Sequence, residues 1–129
     1  MSINKIHHTA IICSNYERSK KFYTEILGLE ILAETYRTER DSYKLDLRVG
    51  AADQIELFSF PGAPKRPSYP EAQGLRHLAF EVDDIEELVC ELEEQGVTVE
   101  PVRIDEGTGL RFTFFSDPDG LPLELYEKS

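Results

Sequence analysis

Hydrophobic positions along this chain follow two rhythms, and they alternate in the same order in its first and second halves. Residues 6–12 and 76–82 are short runs rich in apolar and β-branched side chains and predict strands. Each run leads into a polar helix start, Ser14-Asn15-Tyr16-Glu17 in the first half and Asp83-Asp84-Ile85-Glu86 in the second, where a short polar side chain can cap free N–H groups. Phe22, Tyr23, Ile26 and Leu27, and later Ile85, Leu88, Val89 and Leu92, fall at a spacing that places them on one helical face. Gly28 and Gly96 stand where a left-handed residue ends a helix. Strands are predicted again over 29–32, 44–49 and 54–58, and over 97–99, 111–115 and 121–126. Both halves therefore read β-α-β-β-β, an α+β chain of one domain with modules at about 4–58 and 75–127. The linker, 59–74, carries Pro61, Pro64, Pro67 and Pro70.

Composition narrows the functional classes. A formal charge of -11, from 25 acidic against 14 basic residues, repels polyanions, so nucleic acid and anionic membranes are excluded as expected partners. No run of about 18 apolar residues occurs and the first residues lack a signal-like core, which leads us to expect a soluble cytoplasmic protein. Cys13 and Cys90 are expected to be buried thiols packed as small hydrophobes.

The repeat also places chemistry. His8 and His77 are 69 positions apart, and Glu56 and Glu124, in the matching strings Ile-Glu-Leu and Leu-Glu-Leu, are 68 apart. Alone, either Glu reads as a solvated strand residue and His77 as a hydrogen-bonded structural one. Their recurrence changes this, because halves related by a pseudo-two-fold would bring two imidazoles and two carboxylates to related places. That mixed N/O set suits a divalent transition metal with water in the open positions. His7 competes with His8, but neighbouring strand residues face opposite sides. His8 shares its face with Ala10 as His77 does with Ala79, which favours His8 and leaves His7 partly exposed or orienting its neighbour.

Across nearly its whole length the chain resembles the vicinal-oxygen-chelate superfamily, and within it the small glyoxalase I-like proteins. The resemblance rests on His8-Thr9-Ala10-Ile11, Phe22-Tyr23 before Leu27-Gly28, Ile55-Glu56-Leu57, Gly74-Leu75-Arg76-His77-Leu78-Ala79-Phe80, and Phe115-Ser116-Asp117-Pro118-Asp119-Gly120 before Leu123-Glu124-Leu125. It implies paired βαβββ modules forming a curved mixed sheet, often in a homodimer. It also implies that His8, Glu56, His77 and Glu124 ligate a divalent ion, nickel or zinc first and manganese or iron next. The implied reaction is that of lactoylglutathione lyase, converting the methylglyoxal–glutathione hemithioacetal to lactoylglutathione through a metal-stabilised enediolate. Glu124 is then the expected base and Glu56 its near-symmetric competitor.

The chain departs from that pattern at Ile12, where bacterial glyoxalase I typically carries an Arg, and at Phe60, where it carries an Asn; both bear on glutathione binding. Lys65, Arg66 and Arg111 are alternative candidates for holding an anion. Other family activities remain open: an epimerase, an extradiol dioxygenase, a thiol transferase, or a bleomycin-resistance-like binder. The two-carboxylate set favours the lyase or isomerase branch.

Overall fold

In the computed structural model, which describes residues 1–129, the chain divides into two units, 1–65 and 66–129. In the first, β1 (Thr9–Cys13) leads to α1 (Tyr16–Lys21), then β2 (Glu30–Arg37), β3 (Ser42–Val49) and β4 (Asp53–Ser59), in sheet order β1-β4-β3-β2. In the second, β5 (Leu78–Val82), α2 (Ile85–Glu94), β6 (Arg103–Ile104), β7 (Arg111–Ser116) and β8 (Pro122–Glu127) repeat the plan in the order β5-β8-β7-β6. The first and last strands of each unit run parallel, and the other pairs are antiparallel.

Alternation along the strands explains the burial. Leu45, Leu47, Ile55 and Leu57 point to one face of the first sheet, where they are buried with Phe22 and Tyr23. Phe115, Leu123 and Leu125 form the matching core of the second with Ile85 and Leu92. Full burial of each such side chain contributes about 1.5–3 kcal/mol. The opposite faces of β3 and β7 are left to carry Lys44, Asp46, Phe112 and Phe114.

The predicted caps are present. Asn15 Oδ1 accepts from Arg18 N at 3.0 Å, and Asp84 Oδ1 from Glu87 N at 3.1 Å. Past α1, residues Phe22–Ile26 widen into a π-helical turn, with Leu27 N donating to Phe22 O at 2.9 Å before Gly28 takes φ 71°. The wider turn keeps Phe22 and Tyr23 in the core while the chain swings out to β2.

Three expectations change. Residues 97–99 form no strand; only Glu100 N reaches Phe114 O, at 2.9 Å, before Pro101 supplies no donor, and pairing resumes briefly at β6. Cys90 is exposed, because Ile85 and Leu92 define the inward face of α2; Cys13 is buried as expected. Strand pairing starts at Thr9 and Leu78, so His8 and His77 sit one residue ahead of their strands. No helix is long and apolar enough to cross a membrane.

The long edge strand β2 is exposed along most of its length, with a register shift between Ile31 and Ala33. It is tied to α1 by Glu34, whose carboxylate accepts from Lys20 Nζ at 2.8 Å and from the Tyr16 hydroxyl. Those bonds, Lys20 first, hold the Glu34 pKa below the usual carboxylate range. Because the folded value is the lower one, this stabilisation is present above the ordinary carboxylate pKa and is lost as pH falls through the folded pKa. The urea midpoint should therefore fall on acidification below about pH 4, and more shallowly in Glu34→Gln than in wild type. Parallel slopes would remove Glu34 from the acid response.

Candidate metal centre

Parallel pairing of the first and last strands places Ala10 opposite Glu56 and Ala79 opposite Glu124. The methyl groups add little bulk beside the carboxylates, and the His two residues earlier shares the same face. His8 Nδ1 lies 3.5 Å from Glu56 Oε2, and His77 Nε2 lies 3.2 Å from Glu124 Oε1. The structure thus joins the predicted residues as one His/Glu pair in each unit. It does not gather three or more His, Cys, Asp or Glu side chains into a single cluster.

His7 is exposed, with Nδ1 2.9 Å from His8 Nδ1, where it can orient its neighbour. His77 packs edge-on against Phe114 at a centroid distance of 5.0 Å, and its buried Nδ1 has no hydrogen-bond partner. A buried imidazole nitrogen without a partner is costly. The nitrogen that faces Glu124 is the other one, Nε2.

The surroundings of the two carboxylates differ. Glu56 is buried, accepts from Gln54 Nε2 at 3.1 Å and has Lys44 Nζ 3.7 Å from Oε1; Lys44 also reaches Asp46 at 3.1 Å. In the second unit Phe112 and Phe114 occupy the places of Lys44 and Asp46, as the register Phe114↔Glu124 and Asp46↔Glu56 shows. Glu124 therefore has His77 as its ionic neighbour and an aromatic ring alongside. Sequence reasoning passed over Lys44, Gln54, Phe112 and Phe114, although Lys44 to Phe112 and Asp46 to Phe114 repeat the 68-residue offset of the glutamates.

The anion candidates fare less well. Arg111 is occupied by Glu127 Oε1 at 2.8 Å through Nη2 and by Glu86 Oε1 at 2.8 Å through Nη1, which raises its pKa, Glu127 contributing most. Arg66 is spent on Ser68 Oγ at 2.6 Å and on the carbonyls of Leu75 and Arg76. Both fasten loops. Ile12 is an exposed apolar side chain, 54% accessible, and Phe60 stacks on Phe58 beneath Arg37 and Arg40.

Two similar sheets, each with a His/Glu pair beside an alanine, define a fold built by repeating one half. The chain belongs to the Glyoxalase/Bleomycin resistance protein/Dioxygenase superfamily, the vicinal-oxygen-chelate proteins, whose family model matches residues 5–125. It is 59% identical over 128 residues to the uncharacterised protein YwkD of Bacillus subtilis, covering 99% of this chain and 100% of that one. It is 32% identical over 135 residues to a probable lactoylglutathione lyase of Vibrio cholerae, covering 98% and 93%. The crystal structure of a glyoxalase family protein from Enterococcus faecalis matches with a TM-score of 0.90 and 54% identity, covering 98% of this chain and 100% of that one.

If the pairs are half-sites, removing one donor from either should weaken metal retention comparably. His8→Ala and His77→Ala should each lower bound metal after dialysis, by elemental mass spectrometry, at unchanged melting temperature. Full retention in either variant would remove that histidine from the ligand set.

Proposed function

We propose that this protein is a divalent-metal-dependent lyase or isomerase acting on a small oxygenated substrate, with lactoylglutathione lyase the nearest known activity. The observation that carries the reading is the recurrence of a His/Glu pair at equivalent strand positions in both units, at 3.5 and 3.2 Å. His8 and Glu56, with His77 and Glu124, would hold the ion, the two pairs drawn from one chain or from two copies in a homodimer. Two imidazoles and two carboxylates fit nickel or zinc, and also manganese or iron.

When bound, such an ion polarises adjacent substrate oxygens and stabilises enediolate charge. The protein's own part is proton transfer. Glu124, without the lysine and amide that tether Glu56, is the better placed of the two to take a proton from the carbon beside a carbonyl and return it to the neighbouring carbon. Glu56, held by Gln54 and Lys44, serves as the stationary carboxylate. The hydrophobic replacements at Ile12 and Phe60 favour a substrate other than a glutathione conjugate.

The test is metal content of untagged protein, paired with turnover of the methylglyoxal–glutathione hemithioacetal after reconstitution with nickel, zinc, manganese or iron. Stoichiometric metal is expected, and turnover would identify the ion. Metal without turnover keeps the centre and points to another substrate, whereas absence of metal binding overturns the proposal. Glu124→Gln should retain metal but lose about 10²–10⁴-fold in kcat; retained activity would move the proton transfer elsewhere.

A further inference from the structure

On the first sheet two guanidinium groups converge on one aromatic ring. Phe58 and Phe60 stack at 5.8 Å with their planes 8° apart; Arg37 lies over both, 5.2 and 5.9 Å from their centroids, and Arg40 lies 4.8 Å from that of Phe60. We infer that Arg37 and Arg40 bind the phosphate of a short-chain phosphate monoester. That this ester is the substrate rests on the reading of His8 and Glu56 given above; the binding itself does not.

The charge balance points to an anion. In a chain with 25 acidic and 14 basic residues, Lys20, Lys44, Arg76, Arg103 and Arg111 each meet a carboxylate, whereas Arg37 and Arg40 meet none. Arg37 donates through Nη2 to Ser42 Oγ at 3.4 Å, its Nε is buried without an acceptor, and its Nη1 has no protein partner. Two like charges gathered over one ring repel each other, and an anion shared between them offsets that cost. The rings fix the guanidinium faces by cation–π contact and leave the edges, where the N–H groups lie, for a ligand. One guanidinium fork satisfies both oxygens of a carboxylate, whereas the three free oxygens of a phosphate monoester serve two forks.

The two arginines also stand near the first His/Glu pair. The pairings Arg37↔Ser42, Lys44↔Phe58 and Asp46↔Glu56 put Arg37 and Phe58 on the side of the sheet that carries Glu56. Phe58 lies two residues beyond Glu56 on β4, about 7 Å along the strand, so a phosphate anchored at the arginines leaves the carbon end of a short ester facing that pair. The repeated fold does not itself require cations here. At the 68-residue offset Arg37 and Phe58 become Asp105 and Tyr126, and the Tyr126 hydroxyl donates to Asp105 Oδ2 at 2.7 Å. One half thus carries a satisfied acid where the other carries a guanidinium with no acid beside it.

The test uses the full chain, metal-free and after metal loading, titrated with glycerol 3-phosphate and with lactate and glycerol as comparators that lack the phosphate. Affinities come from calorimetry and the site from amide and arginine Nε–H shifts in NMR spectra. Glycerol 3-phosphate should bind both forms saturably and shift Arg37, Arg40 and Ser42, with both comparators at least about tenfold weaker, the scale of one charge-assisted hydrogen bond. Arg40→Gln, at an exposed position, should lose about tenfold at unchanged melting temperature. Arg37→Lys, which keeps the charge and removes the fork, should also weaken binding. Lys21→Gln, which removes an exposed charge from α1, should bind as wild type does.

Lactate binding as tight as that of the ester, wild-type affinity in either arginine variant, an equal loss in Lys21→Gln, or shifts confined to other residues would overturn the inference. Ester binding by protein that never retains metal would leave it standing and remove the metalloenzyme reading. Stoichiometric metal without ester binding would do the reverse.

Discussion

Everything functional in this protein depends on the parallel pairing of the first and last strands in each half. A parallel ladder cannot be closed by a tight turn, so a helix and two further strands must be threaded between its members. That requirement produces the β-α-β-β-β plan and brings residues 46 positions apart in the first half and 45 in the second into direct register, as in Ala10↔Glu56 and Ala79↔Glu124. A slip of one residue would send Glu56 and Glu124 to the buried leucine face. The apolar residues on either side of each glutamate therefore do more than fill the core, because burying them fixes the direction in which the carboxylate projects.

Much of this was legible in the chain itself. The helix caps at Asn15 and Asp84, the glycine stops and the strands around Glu56 and Glu124 follow from local chemistry, and the recurrence of His and Glu at offsets of 69 and 68 marked the two side-chain pairs that the fold brings together. What was less legible is set by tertiary context. The strand expected over 97–99 has suitable side chains, but the β7 edge offers it little pairing before Pro101. The roles of Arg66 and Arg111 could not be read from charge, since each is satisfied by acceptors that only folding brings near. The contrast between Lys44–Asp46 and Phe112–Phe114 was present in the sequence but becomes meaningful only when the ladder sets these residues beside the carboxylates.

That contrast shows how a repeated architecture gives two matching positions unlike surroundings. Both halves retain a His/Glu pair, met through Nδ1 of His8 and Nε2 of His77, while the neighbouring strand carries ions in one and aromatic rings in the other. One carboxylate is tethered and one is comparatively free. Two carboxylates at matching positions thereby acquire distinct environments without any change in the backbone plan.

The long outer strand of the first sheet carries a different implication. An eight-residue exposed edge bearing Ile31, Leu32 and Tyr36 would ordinarily invite another chain to add a strand. Here the register break between Ile31 and Ala33 disrupts its hydrogen-bonding row, and Glu30, Glu34 and Arg37 place charge along it. On a chain carrying eleven excess negative charges, these features guard against open-ended aggregation, so the same strand can stay exposed without becoming a template for fibrils.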